Sequence, residues 1–392
     1  MRQFTTSIAV IALLSLSLAA CGGGSTGTDA ESIKIGVLLP LAGPVAQTAG
    51  LMKNVAEMTA AQINAAGGVD GKNIDIEVYD TKTDPAEAAK QAQRAITQDR
   101  VTALIGAFTT PETLAVADVA ERSKVVLIAP SAATPAITAD KKYVFRTAPV
   151  TGDLAEGMMQ VAKALGDTNG ALMYDSGGLG LGAKDPIEAA AAQEGVTLTG
   201  SVQYPLNASD VSAQVSAAAK DKPGAVFIAG SAGADHGVVA KAMVEQGLKV
   251  PFIGLSPIGT PDAIQIAEQA YTQLPGVYTL QCTDQNNPNY QKMLADYNAA
   301  YPPVDGLTEQ SVQTGVALEW IAEGLGKTGG EGGERLASAL EQLPARETAG
   351  GRIGAMQQFT ADDHDAYGDN YLVAYKVVDG KLTQADIDLV GK

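Results

Sequence analysis

The sequence predicts an α/β protein made of two Rossmann-like lobes with parallel sheets, joined by several hinge crossovers. Three observations indicate this architecture. Apolar strand patterns alternate with helix-start signals from residue 33 to residue 129, as expected for a parallel sheet covered on both faces. An extended stretch at 143–149 interrupts the alternation, which then resumes as a second series. A further extended stretch at 276–280 indicates that the chain passes between the lobes again.

The first series follows from apolar runs and from the residues that punctuate them. Strands are expected at 33–39, 74–79, 101–105 and 125–129, and helices at 51–66, 85–98 and 111–122. The segment 40–50 is rich in glycine and proline and predicts a loop before the first helix. Asp84, Pro85 and Glu87 have the form of an N-cap, a first-turn proline and an early acid, which marks the start of the second helix.

The second series repeats the pattern. Helices are expected at 152–165, 185–194, 210–219 and 236–246, and strands at 171–174, 197–203, 225–229 and 251–255. After the second crossing, helices are expected at 288–300, 308–326 and 332–342, followed by a strand at 370–378 that ends in a hairpin turn. The predicted lobes are therefore 33–147 with 278–354 and 148–277 with 355–392.

Two neighbouring strand ends in the stretch 104–138 lead into similar helix starts. Thr110 and Pro111 follow one strand, and Thr134 and Pro135 follow the next. Threonine caps free N–H groups and proline is tolerated in a first helical turn, so each pair predicts a helix start. Free N–H groups and positive helix ends would then point to one place, which suits a carboxylate or another small anion. The alternative is a pair of ordinary helix caps.

The N-terminus carries the features of an export signal. Arg2 precedes an uncharged, mostly apolar run at 7–20 that is too short to span a membrane, and small residues lead into Cys21. This order resembles the bacterial lipobox, which implies cleavage after residue 20 and acylation of Cys21. A plain secretory peptide is the alternative. The glycine-rich segment 21–32 then predicts a flexible tether between the membrane and the folded lobes.

Composition excludes several classes of function. The formal charge of -17 and the lack of a basic stripe make nucleic acid an unsuitable partner. Cys282 is the only other cysteine and is predicted to be a buried thiol. The two histidines, His236 and His364, have no metal-ligand or catalytic spacing around them, so no metal, cofactor or nucleophilic triad is predicted.

From Ile33 to its C-terminus the chain resembles the leucine/isoleucine/valine-binding protein family, the type I periplasmic solute-binding proteins of ABC transporters. The resemblance is spread over many short segments in the family's order: IKIGVLLPLAGPVAQ at 33–47, INAAGGVDG at 63–71, IGAFTT at 105–110, APSAATPAIT at 129–138, VFRTAP at 144–149 and LPGVY at 274–278. It implies the type I periplasmic-binding-protein fold, a small-molecule ligand, a membrane permease as partner and no enzymatic activity.

The resemblance also implies a ligand site in the cleft between the lobes. In the family, hydroxyls and backbone N–H groups of two turns hold the carboxylate of an amino acid. Mapped onto this chain, these are Thr109 and Thr110 after one strand, and Ser131, Ala132 and Ala133 after the next. Ala133 stands where a second hydroxyl is usual, with Thr134 displaced by one position.

Other positions depart from the family pattern. Thr48, next to Gln47, replaces an aromatic after the first strand, and Leu179 replaces a tyrosine in the glycine-rich turn. Ser256 replaces the acid that usually meets the ligand's ammonium group, and an unpaired buried ammonium is costly. A standard branched-chain amino acid is therefore not the first expectation, unless Asp235 or Glu309 supplies the charge from another wall.

The predicted function is that of a lipid-anchored, monomeric solute receptor that closes two lobes over a small polar solute and presents it to an ABC permease. The solute is expected to be an amino acid, an amide or a small carboxylate. One alternative is an exported sensor for a signalling partner. Another is a nucleotide-dependent enzyme, because residues 178–183 fit the G-x-G-x-x-A pattern, although the strand at 197–203 does not end in the expected acid.

Overall fold

The computed structural model describes residues 32–43, 45–368 and 370–389. The predicted signal peptide, Cys21 and nearly all of the tether lie outside these residues. Among the described helices, none is long and apolar enough to cross a membrane.

The described chain alternates strands and helices in the predicted order. The strands are β1 (Ile33–Leu39), β2 (Ile74–Asp80), β3 (Ala103–Gly106), β4 (Val126–Ala129), β5 (Val144–Arg146), β6 (Asn169–Asp175), β7 (Thr197–Tyr204), β8 (Ala225–Ala229), β9 (Phe252–Gly254), β10 (Val277–Gln281), β11 (Val373–Val378) and β12 (Lys381–Gln384). The helices are α1 (Ala46–Ala65), α2 (Pro85–Thr97), α3 (Thr110–Ser123), α4 (Thr151–Ala164), α5 (Gly178–Glu194), α6 (Ser212–Ala219), α7 (Gly233–Glu245), α8 (Pro261–Ala267), α9 (Ala270–Gln273), α10 (Pro288–Ala300), α11 (Glu309–Thr328) and α12 (Gly333–Leu340).

Each lobe is built on one sheet. Lobe 1 has five parallel strands in the order β2-β1-β3-β4-β5, and lobe 2 has seven strands in the order β12-β11-β10-β9-β8-β6-β7. In lobe 2, β11 and β12 are antiparallel additions to an otherwise parallel sheet. Central strands such as β8 are buried along their whole length, because helices cover both faces. The predicted fold class is thus confirmed.

Two helices begin five or more residues earlier than predicted. The first, α1, begins at Ala46 instead of residue 51, and includes Gly50, whose missing side chain leaves open space. The second, α5, begins at Gly178 instead of residue 185, so the glycine-rich segment is helical and Pro186 lies inside the helix. The G-x-G-x-x-A segment therefore forms the first turns of α5 and not a separate phosphate-binding loop.

The exchange between lobes also differs from the predicted limits. The strand β10 pairs with β9 and β11 in lobe 2, although lobe 1 was predicted to resume at residue 278. Phe359 packs in the core of lobe 1, edge-on to Phe145 and Trp320, although residues from 355 were assigned to lobe 2. We propose that the chain changes lobe near residues 147, 282 and 367.

Candidate ligand cleft between the lobes

The carboxyl ends of β3 in lobe 1 and β6 in lobe 2 face each other. Helix α3 follows β3, helix α5 follows β6, and these two helices make contact. A Cβ atom placed on Gly178 would lie 3.7 Å from Cγ of Pro111, so the first turns of the two helices meet across the cleft. Ala133 of lobe 1 also packs against the core of lobe 2.

The turn after β3 is held by the buried carboxylate of Glu112. Its Oε2 accepts hydrogen bonds from the amide of Thr109 at 3.0 Å and from the Thr109 hydroxyl at 2.6 Å. Its Oε1 accepts a hydrogen bond from the hydroxyl of Thr81 at 2.5 Å. The Thr109 hydroxyl proton is therefore engaged inside lobe 1, whereas Thr110 stands at the first position of α3, where its N–H has no intrahelical partner. Sequence reasoning missed Glu112, although T-x-x-E at 109–112 is the pattern of a capping box.

The turn after β4 points its carbonyl groups into the protein. The oxygen of Ala133 accepts from the amide of Thr151 at 2.9 Å, and the oxygen of Thr134 accepts from Nη1 of Arg146 at 2.6 Å. The N–H groups of Ser131, Ala132 and Ala133 have no acceptor among the described residues. Unpaired amides on one turn, next to the Ser131 hydroxyl, are the donors that an anionic group needs.

Arg146 fixes that turn to the last crossover of the chain. Its guanidinium is fully buried and donates from Nε and Nη2 to the two carboxylate oxygens of Asp365, at 2.8 and 2.5 Å. The Thr138 hydroxyl donates to the same carboxylate at 3.0 Å. The sequence prediction included Arg146 only within the family segment 144–149 and gave it no role of its own. A charged residue inside an apolar strand was the available signal, because a buried arginine needs a partner.

On lobe 2, the buried carboxylate of Asp175 joins two turns of the cleft wall. Oδ1 accepts from the amide of Gly177 at 2.9 Å, and Oδ2 accepts from the amide of Ser231 at 2.5 Å. The amide of Leu179 then donates to the Ser231 hydroxyl oxygen at 3.3 Å. Asp175 thus sets the relative position of the predicted residue Leu179 and of Ser231, but no sequence signal connected these turns.

Asp235 and Glu309, the two acids expected to supply the charge missing at Ser256, both bind backbone amides. Oδ2 of Asp235 accepts from the amide of Asn207 at 2.8 Å, and burial raises the pKa of Asp235. Oε2 of Glu309 accepts from the amide of Cys282 at 2.7 Å, and burial raises the pKa of Glu309 as well. Asp235 therefore supports the loop after β7, and Glu309 supports the hinge.

The hinge converges on Gln313, a fully buried residue of α11. Its Nε2 donates to Oη of Tyr367 at 2.6 Å and to the carbonyl of Cys282 at 3.4 Å, while its backbone carbonyl accepts from the Thr147 hydroxyl at 3.2 Å. Those three partners belong to the three crossovers. The carbonyl of Cys282 also accepts from the amide of Gly351 at 2.6 Å. Burial raises the pKa of the Cys282 thiol, in keeping with the predicted buried thiol.

The predicted site residues therefore divide into four groups. Thr110 and the turn 131–134 line lobe 1, and Leu179 and Ser256 stand at strand ends of lobe 2. Gln47 and Thr48 lie in the first turn of α1, at the carboxyl end of β1. Thr109, Asp235 and Glu309 each use side-chain atoms within the protein. In the described ranges, no cluster of three potential metal ligands occurs.

Comparison with known families identifies the chain. The family model described as periplasmic binding protein matches residues 32–381. The chain belongs to the periplasmic binding protein family. Its members are exported solute-binding proteins and not enzymes, so this chain is a solute-binding protein. The resemblance to the leucine/isoleucine/valine-binding proteins is confirmed by its relatives.

Two relatives cover most of the chain. The leucine-, isoleucine-, valine-, threonine- and alanine-binding protein of Pseudomonas aeruginosa is 27% identical over 347 residues, covering 86% of this chain and 89% of the relative. The Leu/Ile/Val-binding protein homolog 3 of Brucella melitensis is 28% identical over 345 residues, covering 87% and 91%.

Solved structures share the fold at lower identity. The leucine-binding protein LivK of Thermotoga maritima has a TM-score of 0.79 at 20% identity, covering 90% of this chain and 97% of its own. A solute-binding protein of Rhodopseudomonas palustris, solved in complex with 4-hydroxybenzoate, has a TM-score of 0.79 at 21% identity, covering 92% and 97%. The type I periplasmic-binding-protein fold is therefore confirmed for this chain.

Proposed function

We propose that this protein is the substrate-binding lipoprotein of an ABC importer and that it holds a small carboxylate-bearing solute between its lobes. The observation that carries the proposal is the turn after β4. Its amides at Ser131, Ala132 and Ala133 lack acceptors in the described structure, while Arg146 and Thr151 hold its carbonyls away. A carboxylate accepts several such hydrogen bonds at once, and bonds to a charged acceptor are stronger than neutral ones.

The ligands named for the relatives agree with a carboxylate-binding turn. The Pseudomonas aeruginosa relative is named for amino acids, and the Rhodopseudomonas palustris structure holds 4-hydroxybenzoate. These ligands share a carboxylate and differ in everything else. We expect closure of the lobes over the solute to produce the form that a membrane permease recognises, because binding favours the conformation that contacts the ligand on both sides.

The proposed anchor is a lipid on Cys21, followed by the tether to residue 32. Metabolic labelling with a radioactive fatty acid should mark the wild-type protein in bacterial membranes, and Cys21→Ser should abolish the label. Export of an unlabelled wild-type protein would contradict the anchor without affecting the ligand proposal.

Isothermal titration against amino acids, small amides and aromatic or short-chain carboxylates tests the ligand proposal. Thr110→Val and Ser131→Ala should each weaken binding of the best carboxylate about 5- to 10-fold, the usual effect of removing one hydrogen bond. Thr197→Val is the matched control, since Thr197 is exposed at the amino end of β7, opposite the strand ends that face the cleft. A well-folded protein that binds no carboxylate in the panel would exclude the proposal.

A further inference from the structure

The lobe 2 wall of the cleft is neutral. Five parallel strands of the lobe 2 sheet, β6 to β10, end towards the cleft side. The first residues beyond β6, β8 and β9 are serine, glycine and leucine, including Ser231 and Ser256. Ser256 is half-buried and its hydroxyl has no hydrogen-bond partner in the described ranges, so it is free to meet a ligand.

The acids beside these strand ends are used for other purposes. Asp175 at the end of β6 is fully buried, and both of its oxygens accept backbone amides. Asp235 in the first turn of α7 is 2% exposed and accepts the amide of Asn207. Asp262, in the first turn of α8, is exposed to solvent. Asp210, in the loop after β7, is exposed and accepts from the amide and hydroxyl of Ser212. Asp284, after β10, is buried and its two oxygens accept from the amides of Asn286 and Ile353. None of these five acids combines burial with a carboxylate left free for the cleft wall.

The hinge acid Glu309 is a further candidate counter-charge. One of its oxygens accepts the amide of Cys282, and its electrostatic neighbours, Tyr367 and Tyr375, belong to the hinge and to β11. Glu309 therefore stabilises the crossover after β10, at the base of the cleft and not on the wall of lobe 2.

The helix ends around the cleft favour an anion over a cation. Helices α1 and α5 begin without a capping side chain and without an acidic residue in the first turn. Their first turns lie at the carboxyl ends of β1 and β6, so their positive ends point to the cleft. Together with the free amides at 131–133, these ends form a donor-rich site for a carboxylate, and they repel an ammonium group.

We infer that the ligand is a small carboxylate without an ammonium group, bound with its carboxylate on lobe 1 and an apolar or hydroxyl-bearing body on lobe 2. This inference rests on the proposed function as a carboxylate receptor. An amino acid would bury its ammonium group beside Ser256 and the positive ends of α1 and α5. An ammonium group that loses water without gaining a carboxylate partner binds poorly.

Matched ligand pairs test the inference. Leucine is compared with 4-methylpentanoate and with 2-hydroxy-4-methylpentanoate, and phenylalanine with 3-phenylpropanoate, by isothermal titration. The ligands without an amino group should bind about 100-fold more tightly than their amino-acid partners, since an unpaired buried charge costs at least as much as an unsatisfied hydrogen-bonding group. If an amino acid binds as tightly as its partner, the inference is wrong and the proposed function stands. If no carboxylate of the wider panel binds, both fail.

A gain-of-function variant gives an independent test. Ser256→Glu places a carboxylate on the neutral wall. It should weaken binding of the plain carboxylate and strengthen binding of the amino acid, so that the affinity difference within each pair narrows at least about 10-fold. Thr197→Glu adds the same charge at an exposed position at the amino end of β7, opposite the cleft, and should leave the affinity difference within each pair unchanged. Amino-acid binding by the wild type that disappears in Glu309→Gln would overturn the inference and assign the ammonium site to Glu309.

Discussion

Replacing Arg146 by methionine should destabilise lobe 1 by about 3 kcal/mol. Removing one partner of a buried ion pair costs about 3–5 kcal/mol, because the other charge is left without compensation. The lower end applies here, since the Asp365 side chain is 20% exposed and water can partly rehydrate it, whereas Arg146 is fully buried. The loss includes both bonds to Asp365 and the bond to the carbonyl of Thr134.

The single tryptophan makes the assay specific for the lobe concerned. Trp320 is fully buried in the core of lobe 1, in the same cluster as Phe145, which precedes Arg146 in β5. Urea unfolding followed by tryptophan fluorescence therefore reports the free energy of unfolding of lobe 1. Circular dichroism at the same urea concentrations follows both lobes and shows whether they unfold together.

A double variant separates the orphaned charge from lost packing. Arg146→Met combined with Asp365→Leu removes both charges and should recover at least about 1 kcal/mol relative to Arg146→Met alone. An Arg146→Met protein within about 1 kcal/mol of the wild type, or a double variant no more stable than the single one, would refute this account of the pair.

Three further predictions concern lobe 2 and the hinge. Gly180→Ala should destabilise the protein by about 1–3 kcal/mol in urea unfolding, since the new Cβ would lie 2.3 Å from Oδ1 of Asp175. Gly182→Ala in the same helix meets open space and should be neutral or stabilising. Burial lowers the pKa of His236 to about 3, below its unfolded value of 6.5, so stability should be lost as the pH falls from 6.5 towards 3, by up to about 1.4 kcal/mol per pH unit. His236→Phe should remove that part of the slope between pH 6 and 5, and an unchanged slope would contradict it. Gln313→Leu should weaken ligand binding about 10-fold and widen the lobe separation in small-angle scattering, because the side-chain bonds to two crossovers are lost; unchanged scattering and affinity would exclude this hinge role.

The sequence was sufficient for the fold because its signals are local. Apolar runs and caps such as Asp84 with Pro85 predicted the strands and helices in their observed order, and the cap bond from Glu87 to Asp84 is present at 2.7 Å. The misplaced start of α5 shows the limit of that reasoning. Glycines read as a loop in sequence, but here Gly180 allows the helix to pack directly against Asp175, a contact that composition does not reveal.

The site was less accessible to prediction because it depends on pairs that are distant in sequence. Arg146 and Asp365 are separated by 219 positions, and Asp175 reaches Ser231 across 56 positions. Glu309 and Asp235 looked like free acids in the sequence, and only the structure shows which amides they bind. Residue type suggested the chemistry, while the packing decided where each side chain points.

The repeated passage of the chain through the hinge constrains the order in which the two lobes can fold during synthesis. The core of lobe 1 joins residues of β1 to Trp320 and Phe359, and the sheet of lobe 2 is extended by β11 beside β10. Neither lobe is complete until the last quarter of the chain is present. Apolar surfaces of both lobes therefore stay exposed to solvent for most of the synthesis of the chain. The two cores are completed almost simultaneously, once the last segment has been made.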